Sequence, residues 1–119
     1  MVSNINYINI MNLKNRNKLI KKLLDDCHKI LLDKGNAYSG EADANSNFKR
    51  NADRLGMTKY QVLMVYMNKH FDGINNAIKH FPTFPEEKTE GMHGRILDAI
   101  NYLCILHTLI EEDRIKDKK

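Results

Sequence analysis

Tryptophan is absent from the 119 residues, and cysteine and proline occur only twice each. Two cysteines, Cys27 and Cys104, cannot build a disulfide framework or a cysteine-based zinc site. Both fall in apolar helical stretches and read as two buried thiols in a reducing compartment, so a cytoplasmic location is expected. No apolar run approaches the roughly 18 residues of a membrane span. Met1 to Leu13 lacks a basic start followed by an apolar block, so no secretory signal is expected. Several catalytic signatures are missing: a phosphate loop of the GxxxxGK type, a serine in a nucleophile elbow, and a histidine pair at metalloprotease spacing. No basic helix with interleaved aromatics is present, so nucleic acid is not an expected partner. Internal repeats are absent as well.

What remains is an ordinary globular composition, 42% hydrophobic and 29% charged, in a chain long enough for one core and too short for two. The net charge is +4, part of it from the tail Lys116 to Lys119. Such a balance is compatible with a phosphate-bearing ligand without requiring one.

Periodicity predicts an all-α fold, a small bundle of about four helices that self-associates. Ile20, Leu23, Leu24, Cys27, Ile30 and Leu31 recur at the helical period and predict a first helix over Asn17 to Asp33. Gly35 stands where a left-handed terminating residue belongs. A polar loop from Asn36 to Asn45 follows. A short second helix spans Ser46 to Leu55, with Phe48, Ala52 and Leu55 inward and Gly56 ending it. Thr58 and Gln61 match a capping box, which starts a third helix at Lys59. Its stripe is Val62, Leu63, Tyr66, Met67, His70, Ile74, Ala77, Ile78 and Phe81. Pro82 and Pro85 then bracket a break.

The fourth helix is predicted from Glu90 or Met92 to Arg114. Ile96, Ala99, Ile100, Leu103, Leu106, His107 and Ile110 form its main face, with Leu97, Cys104, Ile105 and Leu109 elsewhere. A helix apolar over most of its circumference is central in a bundle or buried against a second chain. The whole reads as a single domain, 1–119: an N-terminal arm over 1–16, a helical core over 17–114 and a basic tail over 115–119.

Three clusters carry the candidate chemistry. The first is Lys34, Gly35, Asn36, Tyr38, Ser39, Gly40, Glu41, Asn47, Phe48, Lys49 and Arg50. A glycine-containing loop leading into a helix start can hold an anion through free amides and the helix dipole. The plainer reading is an ordinary loop with Asn45 or Ser46 as the cap. The second is Lys69, His70 and Asp72; His70 lies on the apolar stripe, where a histidine is more often a satisfied core residue. The third is Arg95, Asp98, Asn101 and Tyr102, which share one helix face. Asp98 there either pairs with Arg95 or Lys69 as a buried ion pair, or holds a ligand or metal.

Four elements, KGNAYSG (Lys34 to Gly40), NFKRNADRLG (Asn47 to Gly56), VYMNKHFDGI (Val65 to Ile74) and GRILDAINYL (Gly94 to Leu103), together resemble a family of short phage and prophage proteins. That family is called nucleotide modification associated domain 1. The likeness covers about Lys18 to Glu112 and rests on the order and spacing of the four. More distantly, the chain is similar to all-α nucleotide pyrophosphohydrolases of the MazG type, in which glutamates and an aspartate on two facing helices bind magnesium. Asp98 sits where the last aspartate of that pattern falls. Arg95 replaces its glutamate partner, and Asn68, Lys69, His70 and Asp72 replace the acidic cluster of the preceding helix. One aspartate among basic residues is a poor magnesium site, whereas the basic residues suit phosphates.

The resemblance therefore implies a phage-type protein that binds and sequesters a phosphorylated nucleotide, cyclic and signalling nucleotides included, in the cytoplasm of an infected or lysogenic bacterium. The expected ligand-binding set is Tyr38, Asn47, Phe48, Arg50, Lys69, His70, Arg95, Asp98 and Asn101, with no catalytic residue, no metal ligand and no cofactor. Tyr38 or Phe48 would stack on the base. Lys69, Arg95 and Arg50 would meet phosphates, and Asp98 and Asn101 would bond to base or ribose. The expected partners are the nucleotide and further copies of the chain, with no membrane. The alternatives are a metal-dependent nucleotide pyrophosphohydrolase, which would need magnesium, and a helical protein-interaction module.

Overall fold

A capping box at Thr58 shows how directly local sequence shapes this chain. The Thr58 hydroxyl accepts the Gln61 amide at 3.1 Å, and the Gln61 side chain accepts the Thr58 amide at 2.9 Å. Two donors that the first turn would leave without a partner are thereby satisfied. The computed structural model describes residues 10–38 and 42–117, for 36–38 the backbone only. These residues form four helices: α1 (Leu13–Tyr38), α2 (Ser46–Leu55), α3 (Lys59–His80) and α4 (Gly91–Asp117). The fold is all-α, and no described helix is long and apolar enough to cross a membrane.

Helix α1 departs from expectation at both ends. It begins at Leu13, inside the expected arm, and runs through Gly35 to Tyr38. Left-handed glycines among the described residues are Gly56 and Gly91 alone, so Gly35 is an ordinary helical residue. The physical reason is that glycine permits a left-handed stop without imposing one. Gly56, at φ 65°, does end α2, and its amide bonds back to the Ala52 carbonyl. Asn45 stands at the N-cap of α2 but makes no capping bond, because its side-chain amide goes to the Thr108 hydroxyl at 3.3 Å. Helix α4 continues to Asp117, so residues 115–117 of the expected tail are helical.

The core lies where α2, α3 and α4 meet. Phe48, Ala52, Val62, Leu63, Met67 and Leu109 are buried together, with Tyr60, Tyr66, Tyr102 and Ile105 packed around them. Leu63, Leu109 and Val62 are the largest fully buried side chains, each contributing about 1.5–3 kcal/mol. Helices α3 and α4 run antiparallel. At one end Lys59 pairs with Asp113 at 2.6 Å, and the Tyr60 hydroxyl bonds to Asp113 and to the Leu109 carbonyl. At the other end Gly73 faces Arg95.

Helix α1 joins this core through α4. Buried Cys27 approaches the Leu97 carbonyl at 3.8 Å, and burial pushes its thiol pKa up. Cys104 is exposed, contrary to expectation, because α4 packs through Leu97, Asn101 and Leu109. The turn of α4 also leaves Ile96, Leu103, His107 and Ile110, residues of its expected inward face, exposed.

Candidate functional site

The stripe Leu63, Met67, His70, Ile74 and Ala77 on α3 steps by three and four, which brings His70 to the α4 side of the helix. Its ring is 3% exposed and stacks on Tyr102 of α4, centroids 5.7 Å apart. Three charged groups meet its edges. His70 Nε2 is 3.6 Å from Asp98 Oδ2, and Nδ1 is 3.6 Å from Glu90 Oε2 and 3.3 Å from Arg95 Nη1. Burial pulls the His70 pKa below its ordinary value, outweighing the two carboxylates, which pull the other way. The imidazole is therefore neutral at pH 7. Asp98 also faces Lys34 of α1, at 3.8 Å.

Just before α4, Glu87 turns its carboxylate back onto the helix start. It accepts the backbone amides of Thr89, Glu90 and Gly91 at 3.1, 2.7 and 2.8 Å. A carboxylate at a helix N-terminus satisfies free donors and meets the positive end of the dipole. The Glu90 amide first, then Thr89 and Arg95, hold the Glu87 pKa down to about 2.

Arg95 lies between these groups. Its Nε is 3.4 Å from Glu87 and its Nη1 3.5 Å from Glu90. Gly73 makes the room: a Cβ there would fall 2.7 Å from Arg95 Nε. Among the described residues no ion pair joins Asp98 to Arg95 or to Lys69, the two partners that a buried ion pair would have used. Long helical side chains lean toward the N-terminus. That direction takes Arg95 to Glu87 and Glu90, while Asp98 is left to His70 and Lys34.

A cleft of about 710 Å³ opens beside this cluster. Lys34 and Gly35 of α1, Asn47 and Asn51 of α2, Tyr66, Lys69 and His70 of α3, and Asp98, Asn101 and Tyr102 of α4 line it, together with Glu90. Its aromatic side is a series: Phe48 to Tyr66 at 6.2 Å, Tyr66 to Tyr102 at 6.4 Å, then Tyr102 to His70. Asn101 is only 6% exposed, and its Oδ1 has no hydrogen-bond partner. A buried acceptor left without a donor is uncommon and costly.

Five of the expected site residues thus converge on one cleft: Asn47, Lys69, His70, Asp98 and Asn101. The other four do not come with them. Phe48 touches the cleft wall but is 3% exposed and belongs to the core, so neither of its faces is open to a base. Arg50 lies along the outside of α2, donating to the Ser46 hydroxyl at 2.9 Å. Arg95 lines a neighbouring recess of about 420 Å³ and is held by glutamates. The side chain of Tyr38 and all of Ser39, Gly40 and Glu41 lie outside the described residues. Lys49, expected beside an anion, is taken by Asp43 at 2.9 Å and Glu112 at 3.0 Å.

Sequence reasoning missed Glu87 and Glu90, and it assigned no metal ligand, yet His70, Glu90 and Asp98 each offer a ligand atom within 4.8 Å of one another. Two acidic residues directly ahead of a helix start were the available signal for the cap; nothing local signals their meeting with α3. Compared with protein-family models, curated proteins and solved structures, the chain matches none.

Proposed function

We propose that the cleft binds a phosphorylated nucleotide, which the protein holds without turning it over. A single observation carries this reading: residues from all four helices meet in one cleft that combines cationic, amide and aromatic side chains. Its volume lies in the range of small-ligand sites, about 300–1,000 Å³. Lys34 and Lys69 supply positive charge for phosphates. Asn47, Asn51 and Asn101 carry donors and acceptors suited to base and ribose edges. Tyr66 and Tyr102, which are only partly buried, take over the stacking role expected of Tyr38 or Phe48. The four sequence elements support the phage setting.

Self-association belongs to the same reading. Met64, Phe71 and Ile78 on α3 and Ile96, Leu103 and Ile110 on α4 each repeat every seven residues and remain 36% to 49% exposed. At about 3.6 residues per turn, Ile96, Leu103 and Ile110 lie opposite Asp98, Asn101, Ile105 and Thr108, which face the cleft. A second copy on that side leaves the cleft open.

The test is incubation with a nucleotide panel, followed by chromatography of the free fraction and of ligand released from denatured protein. Intact nucleotide from the protein fraction is expected, and Lys69→Ala should weaken binding by about ten- to a hundredfold, the worth of a charge-assisted hydrogen bond. Magnesium-dependent product would instead identify a pyrophosphohydrolase. An empty protein fraction with unchanged nucleotides would leave an interaction module.

A further inference from the structure

The cluster on the wall of the cleft has a second use that needs no nucleotide. We propose that His70, Glu90 and Asp98 bind one divalent d-block metal ion of the zinc type. One ligand atom from each lies within 4.8 Å of the others. Ligand atoms around a tetrahedral ion at about 2.0–2.2 Å stand roughly 3.3–3.5 Å apart. His70 Nε2 is 3.6 Å from Asp98, whereas the 3.6 Å approach of Glu90 is to the other ring nitrogen, Nδ1, so the Glu90 carboxylate must swing toward Nε2 to join one ion.

The donor set also fits in kind. The imidazole, a common zinc ligand, is buried and fixed by stacking on Tyr102. The two carboxylates are 36% and 23% exposed, so an ion reaches them from solvent. Three protein ligands leave a coordination position for water.

Asn101 gives an independent sign. Its buried Oδ1 lines the same cleft one helical turn beyond Asp98 and has no donor. A water on the ion is a donor of the missing kind, and outer groups that hold such waters orient a metal site.

Two cations stand where the ion enters: Arg95, 3.5 Å from Glu90, and Lys34, 3.8 Å from Asp98. Lys34 yields, its ammonium being more than half exposed on a flexible stem. Arg95, 11% exposed and 3.3 Å from His70 Nδ1, holds that edge of the ring, which leaves Nε2 beside Asp98 for the ion. Magnesium prefers an all-oxygen octahedron with several waters, whereas imidazole favours zinc and its neighbours. The site is therefore selective for zinc over magnesium.

The experiment uses the full chain, stripped of metal and free of nucleotide. Equilibrium dialysis against zinc, with elemental analysis, should find one equivalent per chain that excess magnesium does not displace. Cobalt(II) as a spectroscopic stand-in should show visible absorption bands that zinc abolishes. Asp98→Asn and Glu90→Gln should each weaken zinc binding about tenfold or more, while Asp25→Asn, on the far surface of α1, should leave it unchanged. Near-equal shape keeps both test variants folded, and circular dichroism verifies it. No stoichiometric zinc, or zinc binding that survives both substitutions, overturns the proposal. Because no nucleotide is present, failure here and failure of nucleotide binding are separate results.

Discussion

Glu87 is the residue whose chemistry depends most on its surroundings. Three backbone amides and Arg95 converge on its carboxylate and hold its pKa near 2 rather than the usual 4.5. A carboxyl with a depressed folded pKa stabilises the fold above its unfolded pKa and loses that contribution as pH falls through the folded value. Glu87→Gln should therefore melt below wild type by a constant margin from pH 7 to about 5, and the margin should close toward pH 2. Thermal melts of both proteins across that range measure it; a margin that persists at pH 2 would show that the amides do not depend on the charge. Glu87 was passed over in the sequence because it precedes the predicted helix. For Asp98 the sequence offers Arg95 or Lys69 as an ion-pair partner, and the direction of the Arg95 side chain, which decides against Arg95, is not legible in spacing.

Among the helices, α1 behaves least as its sequence markers suggest. Gly35 lies within it, in ordinary helical geometry, and a Cβ there would meet nothing within 4 Å. Glycine inside a helix costs about 0.5–1 kcal/mol relative to alanine. Gly35→Ala should accordingly raise unfolding free energy by roughly that amount in urea denaturation. A loss of stability would mean that position 35 needs the freedom of glycine after all. Gly73 is the contrasting case: it too sits inside a helix, but the Arg95 guanidinium occupies the space a side chain would need. Nothing in the sequence separates these two glycines, since the difference lies in what the neighbouring helix presents.

The assembled molecule covers one side of the α3–α4 hairpin with α1 and α2 and leaves the seven-residue stripes of both helices in water. Six large apolar side chains, 36% to 49% exposed, leave an apolar patch of roughly 300–600 Å² per copy, the size at which such patches mark interaction sites. A symmetric pair then buries on the order of 1,000 Å², the threshold for a specific interface. A twofold pairing through one patch is the commonest way to cover such a surface. Light scattering at micromolar concentration should find at least twice the 13.9 kDa chain mass. Leu103→Asp should shift the species toward the single chain. A clean 13.9 kDa species for the unaltered protein would remove the idea.

Periodicity was enough to establish that the chain is all-helical, roughly where α2 and α3 lie, and how α2 ends and α3 begins. Those features rest on interactions within one turn: the Thr58 and Gln61 exchange, the left-handed Gly56, and apolar residues at steps of three and four. The rotation of α4 was beyond its reach. That helix is apolar on most sides, so its pattern fits several packings, and only contact with Cys27, Tyr66 and His70 selects the one that buries Leu97 and Asn101 and exposes Leu103. The meeting of His70, Glu90 and Asp98 was equally hidden. It joins a helix interior, a connector and a second helix, and no local spacing encodes the angle and offset at which two helices cross.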